Sequence, residues 1–291
     1  MNICPRCHDR GLLTVAGERS AEARVCRHLA NCPICRGSGW HLDDAGTAFE
    51  VSRPCRCGLL DLARRAGYFD RAAIPARFHD ARLDAYEYRD KGGTQYRVKV
   101  LLTEMIDSFA PGDRGVGLSG PPGVGKTHLL SALAGYLALF RGVEVRYADF
   151  ADLIGELRSR FDSGGGSEAL VGTVVDAPVL FIDELGKGRA TEWEQSIVDA
   201  IVSRRYSRGL SLFFATNYAL EDDPTGRGPE PLSARIGARA WSRLREMSRF
   251  ERIEGPDGRG LNAGPGTAAP ATAHTTGGAP PAGLRGVSRM R

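Results

Sequence analysis

The chain has 291 residues, 42% hydrophobic and 25% charged, with a formal net charge of +4. That length holds one sizeable core and a smaller module, and the charge permits nucleic-acid binding without requiring it. No apolar run approaches the roughly 18 residues of a membrane-spanning helix, and Met1-Asn2-Ile3-Cys4 opens without the apolar region of a secretory signal. The sequence therefore predicts a cytoplasmic protein that does not enter a membrane. Its basic residues are almost all arginine, the lysines being Lys91, Lys99, Lys126 and Lys187, so a cluster of arginines means less here than in a chain that uses both.

All seven cysteines lie between residues 4 and 57. In a reducing compartment, cysteines at such spacings point to zinc rather than to disulfides. They fall into an internal repeat. Cys4-Pro5-Arg6-Cys7 is followed by Cys26-Arg27-His28, and Cys32-Pro33-Ile34-Cys35 by Cys55-Arg56-Cys57. Each half supplies four ligands: Cys4, Cys7, Cys26 and His28, then Cys32, Cys35, Cys55 and Cys57. Two closed tetrahedral Zn²⁺ sites are expected. His8 competes with His28 for the fourth place in the first. Gly11, Gly37 and Gly39 suit left-handed turns behind the C-x-x-C knuckles. Eight arginines face six carboxylates in residues 1–60, and seven thiolates with two Zn²⁺ leave the module near neutral. It is no basic glove for DNA, and protein docking suits it at least as well.

Residues 59–112 read as a helical linker. Leu59-Leu60-Asp61-Leu62-Ala63 forms a short apolar helix, a candidate for docking on another protein, and a second helix is expected near 96–109.

Residues 120–127, Gly120-Pro121-Pro122-Gly123-Val124-Gly125-Lys126-Thr127, match the phosphate loop G-x-x-x-x-G-K-[ST]. A strand at 116–119 precedes it. A helix over 127–140 comes next, with Leu129, Leu130, Leu133, Leu137 and Phe140 at helical spacing. The loop thus sits at a helix N-terminus, where backbone N–H groups and the dipole favour a polyphosphate. Lys126 supplies charge to the β/γ-phosphates, and Thr127 a hydroxyl to Mg²⁺. His128 opens the helix and completes the set expected to contact ATP.

Val179-Leu180-Phe181-Ile182 reads as a buried parallel strand ending in Asp183-Glu184. Asp183 is expected to hold Mg²⁺ and Glu184 to polarise the attacking water. Leu212-Phe213-Phe214-Ala215 forms another strand, ending in Thr216-Asn217, where an amide would meet the γ-phosphate. The sheet is predicted to be parallel, from strands near 116–119, 143–148, 178–183 and 211–216, with a last strand at 249–254. The domain reading is 1–58, a duplicated zinc module; 59–112, the linker; 113–260, a three-layer α/β ATPase core; and 261–291, a Gly/Pro/Ala/Thr-rich tail whose composition predicts disorder.

Gly-Pro-Pro-Gly-Val-Gly-Lys-Thr, then Asp-Glu-Leu-Gly, then Ala-Thr-Asn, at these spacings, resembles the AAA+ ATPases. Ala73-Ile74-Pro75-Ala76-Arg77-Phe78, the stretch Val145 to Ile154, and Ser242-Arg243-Leu244 narrow the resemblance to the DnaC/DnaI helicase loaders and the related IstB transposition helpers. It covers roughly residues 70–260. The cysteine module is similar to the zinc-binding N-terminal domains of some loaders, although its duplication departs from the single site that resemblance implies. By the same resemblance Asn217 is a γ-phosphate sensor. Arg243 is an arginine finger acting on a neighbouring subunit, or else one more arginine of the charged set Arg239, Arg243, Arg245 and Arg249. Arg259 matches a second sensor, but no helical lid succeeds it.

The resemblance implies an ATP-dependent helicase loader acting in DNA replication, a homo-oligomer that engages a replicative helicase and single-stranded DNA. Two rivals stand beside it. One is an IstB-like transposition helper with the same chemistry, in which the cysteine module is unexpected. The other is a zinc adaptor that binds ATP without turnover, against which Glu184 argues. The C-x-x-C-x-G-x-G form is also similar to the zinc region of DnaJ chaperones, but no J-domain signature precedes it.

Overall fold

The chain opens with two antiparallel hairpins, β1 (Leu12–Ala16) with β2 (Ala21–Val25), and β3 (Trp40–Asp43) with β4 (Val51–Pro54). The computed structural model describes residues 4–258 apart from 9, 44, 45, 47–49, 89, 163–171, 173 and 221–229. Arg259 and the 261–291 tail lie outside the described residues.

The internal repeat is reproduced in the backbone. His8 N–H donates to the Cys4 carbonyl at 2.8 Å, and Arg36 N–H to that of Cys32 at 2.8 Å. Cys26 N–H reaches Gly11 O at 2.8 Å, and Cys55 N–H reaches Gly39 O at 2.7 Å. Gly11 and Gly39 both take φ +78°, a left-handed turn that a side chain would strain.

Helix α1 spans Leu59–Ala72 and is much longer than the apolar segment at its start. Ala66, Phe69 and Ala72 are its buried residues, spaced as one face of a helix. That face packs on β2 and on α3 (Lys126–Leu139). The leucines at its start are not offered outward as a docking helix. A Cβ on Gly11 would meet Leu62 Cδ1 at 2.6 Å, and one on Gly39 would meet Leu60 Cδ2 at 2.8 Å. Those two side chains are instead seated against the knuckles, one on each. Ala21 N–H to Ile74 O and Ala23 N–H to Asp70 Oδ1, 2.8 and 2.7 Å, fasten β2 to the end of α1 and the turn beyond.

After α2 (Thr94–Ser108) come β5 (Gly115–Ser119), α3, β6 (Val145–Asp149), α4 (Phe150–Asp162), β7 (Val179–Asp183), α5 (Glu192–Ser207), β8 (Ser211–Thr216), α6 (Leu232–Ile236), α7 (Ala238–Met247) and β9 (Ser248–Arg252). The five strands form one parallel sheet in the order β6-β7-β8-β5-β9. The last strand runs one or two residues earlier than the sequence suggested. Alternation along the strands builds two cores. Val179, Phe181, Phe213 and Ala215 face α1, α2 and α3, while Leu180, Ile182, Leu212 and Phe214 face α4, α5, α6 and α7. With both faces covered, β7 and β8 are buried at every position, the burial expected of a parallel sheet.

Candidate nucleotide and metal sites

Ligand sites in open parallel sheets form beyond the strand C-termini, where neighbouring connections diverge. Here β5 leads into the phosphate loop, and β8 lies between β5 and β7. Ser119 pairs with Thr216, and Ile182 with Phe214. Asn217, one residue past β8 and exposed, therefore stands between Gly120 and the Asp183-Glu184 pair.

The phosphate loop is crowded by two segments remote in sequence, the linker at Tyr86 and the stretch after β9. A Cβ on Gly120 would lie 2.0 Å from the Ile253 carbonyl, one on Gly123 2.1 Å from an Asp257 carboxylate oxygen, and one on Gly125 2.4 Å from the Tyr86 ring. The three glycines have φ of +151°, +83° and +94°, so only glycine fits there on two counts. Gly258 N–H donates to Gly123 O at 2.9 Å and Ile253 N–H to Ser119 O at 2.7 Å. Tyr86 donates to Val124 O at 2.6 Å, and burial pushes its hydroxyl pKa up to about 12.

Lys126 is 8% exposed, and its Nζ donates to Gly120 O at 2.7 Å and Pro121 O at 2.9 Å. The ammonium is thus held inside its own loop, at the place where a polyphosphate would displace the carbonyls. The His128 ring turns to the linker instead. It packs on Phe78 and Tyr86, with Nε2 3.1 Å from Arg82 O. Pro121 and Pro122 are exposed.

Asp183 is 5% exposed. Its Oδ2 accepts the Tyr147 hydroxyl at 2.9 Å, and its Oδ1 the Glu184 N–H at 3.0 Å. Burial pushes its pKa above the ordinary carboxylate value; hydrogen bonds from Thr127, Tyr147 and the Glu184 backbone oppose the shift, and the Glu184 charge adds to it. A buried carboxylate beside the Thr127 hydroxyl is a hard-oxygen pair that suits Mg²⁺, and a cation there would relieve the cost of its charge. Glu184 adopts φ 53°, an uncommon conformation for a residue with a side chain. It turns the chain out of β7, and its carboxylate pairs with Lys187. The Lys187 and Tyr147 contacts carried no sequence signal, and neither did Tyr86 and Asp257 at the loop.

Arg243 lies on α7, facing α5. Its Nη1 donates to Ser203 Oγ at 2.7 Å and Asp199 Oδ1 at 3.1 Å. Arg239 stands 3.8 Å from the other Asp199 oxygen and is 73% exposed, against 22% for Arg243.

The cysteines assemble as two groups, Cys4, Cys7, Cys26 and His28, and Cys32, Cys35, Cys55 and Cys57, with the ligand atoms of each within 4.8 Å of one another. Cys4 and Cys26 sulfurs are 3.8 Å apart, as are those of Cys32 and Cys55; Cys35 and Cys57 are 3.6 Å apart, and Cys7 Sγ is 3.4 Å from His28 Nδ1. A tetrahedral ion with Zn–S bonds of about 2.3 Å requires S···S separations of about 3.8 Å, so the sites fit zinc. His28, not His8, closes the first group. Hydrogen bonds from the backbone and ring of His28 lower the Cys26 pKa to about 6.

A family model described as IstB-like ATP-binding protein matches residues 61–226, more than half of the chain, leaving both cysteine groups outside. The replicative helicase loader DnaC of Escherichia coli K12 is 26% identical over 178 residues, 61% of this chain and 68% of that protein. The uncharacterized protein YqaM of Bacillus subtilis 168 is 30% identical over 112 residues, 37% of this chain; the match spans 35% of that relative's length. The crystal structure of a DnaC helicase loader superposes with a TM-score of 0.52 at 30% identity, covering 61% of this chain and 99% of that one.

Proposed function

The chain belongs to the IstB-like ATP-binding family, and from that premise we propose that it is an ATPase that loads a replicative helicase onto single-stranded DNA during replication. The observation that carries this reading is the assembly of the phosphate loop, Asp183-Glu184 and Asn217 at one sheet edge, in a chain similar to DnaC loaders.

Lys126 exchanges its two loop carbonyls for the β/γ-phosphates of ATP. Thr127 and Asp183 hold Mg²⁺, which neutralises phosphate charge when bound. Glu184 orients the water and accepts its proton once the carboxylate leaves Lys187. Asn217 donates to the γ-phosphate, and Arg243 reaches the site of a neighbouring subunit in an oligomer. The two cysteine groups hold structural zinc. Among the described residues no helix is long and apolar enough to cross a membrane.

The test is loading itself. Purified protein, cognate helicase and closed single-stranded DNA circles should give ATP-dependent deposition of helicase, weakening as salt rises, because phosphate contacts release counterions. Binding to a cognate transposase in place of the helicase would move the reading to the transposition helper. Nucleotide binding without turnover would leave only the adaptor.

A further inference from the structure

The two hairpins share a fold and differ in what covers them. Leu12 pairs with Val25 and Thr14 with Ala23; in the second unit Trp40 pairs with Pro54 and Leu42 with Ser52. Paired residues of antiparallel strands point to the same face, so Leu12, Thr14, Ala23 and Val25 correspond to Trp40, Leu42, Ser52 and Pro54. In the first unit that face is covered. Ala21 and Ala23 are 0% and 6% exposed and join the core of α1, with Leu12 packed against it. In the second unit all four residues are exposed, Trp40 at 47% and Leu42 at 54%. Of the seven large apolar side chains exposed among the described residues, four belong to this unit; Trp40 and Leu42 stand side by side on this face with Pro54 opposite Trp40, while Val51, paired with Asp43, lies on the other. Adjacent large apolar side chains mark an interaction surface, whereas scattered single residues do not.

The first unit shows what such a face accepts. Its occupant is an amphipathic helix, α1, presenting Ala66, Phe69 and Ala72 and an acid, Asp70, whose carboxylate takes the outward Ala23 N–H. The register of the second hairpin puts the Ser52 N–H in the corresponding place.

We propose that the exposed face of β3–β4 is the docking site for an amphipathic helix of the replicative helicase, one with a small-apolar stripe and a carboxylate that caps the outer edge of β4. This rests on the helicase-loader reading above. Residues 261–291 contain no Asp or Glu and offer no such acid. A second copy cannot use α1, whose stripe is already buried.

The experiment uses the full chain with zinc bound. Trp40→Ser with Leu42→Ser should weaken helicase co-purification by at least about tenfold, the loss typical of a removed aromatic anchor. Zinc content and ATP hydrolysis should stay unchanged, and Trp40→Phe should retain binding. Equal binding by the double variant and the intact chain overturns the proposal and leaves the loader reading standing. Loss of self-association with helicase binding intact assigns the face to a second copy and also overturns it. Failure of the intact chain to bind helicase removes the loader reading and this proposal with it.

Discussion

Tyr147 donates its hydroxyl to Asp183 Oδ2 at 2.9 Å from the neighbouring strand, with both groups shut away from water. The register that aligns Asp149 with Asp183 puts Tyr147 beside Phe181, and the hydroxyl extends from there to the carboxylate. The phenol is pushed well above its ordinary value, by burial first and then by the Asp183 charge.

Asp183 should therefore lower the stability of the nucleotide-free fold at neutral pH. A carboxyl whose pKa is raised by folding holds its proton better in the fold than in the unfolded chain. Its contribution to stability is present at acid pH and lost as the pH climbs through the raised value. Asp183→Asn keeps an acceptor for Tyr147 and removes the charge. It should raise Tm at neutral pH by roughly 2–4 °C, the shift for about 1 kcal/mol in a domain of this size, while abolishing Mg²⁺-dependent hydrolysis. Thermal melts across pH check it: the gain should shrink toward acid pH.

Glu184→Gln should keep nucleotide affinity and lose about 10²–10⁴ in turnover, since it removes the proposed base and leaves the phosphate cradle untouched. Equilibrium binding of a fluorescent ATP analogue, set beside steady-state hydrolysis, separates the two. Parallel loss of both would mean that Glu184 shapes the loop after β7, where its φ of 53° already bends the chain.

Metal analysis should find two zinc ions per chain. His28→Ala should reduce that to one, and His8→Ala should leave it at two, because Nδ1 of His28 is the atom 3.4 Å from Cys7 Sγ. Two ions in both variants would hand the fourth position of the first site to water or to another residue.

The sheet was legible because its chemistry is written in consecutive residues. The phosphate loop, the run from Val179 to Glu184 and the run from Leu212 to Asn217 each mark a strand together with the polar residues at its C-terminal end. The two cysteine groups were legible because a duplication lines them up. Contacts between distant segments were not. Tyr86 reaches Val124 and Asp257 reaches Gly123 only after the linker and the chain beyond β9 have folded back over the loop. The length of α1 was hidden too. Its buried stripe is Ala66, Phe69 and Ala72, and alanine signals a core poorly beside the leucines that precede it.

Arg243 offers a test in which structure and catalysis separate. In one subunit it ties α7 to α5 through Asp199 and Ser203. If that tie were its whole purpose, Asp199→Ala would damage hydrolysis as much as Arg243→Ala. As a finger it should behave otherwise: Arg243→Ala should lose about 10³ or more, Asp199→Ala far less. Mixing Arg243→Ala with Lys126→Ala should restore part of the rate, read over a range of protein concentrations.

The strap from Ile253 to Gly258 decides where the molecule can be cut. The family match ends at residue 226, yet the phosphate loop is latched at Ser119 by Ile253 and at Gly123 by Gly258. β9, the strand beside β5, also lies beyond that limit. At the other end the match begins at residue 61, inside a helix whose first turn rests on both knuckles. The segment matched by the family model is thus shorter than the piece that encloses the phosphate loop. A fragment trimmed to it would lack a wall of its own binding site.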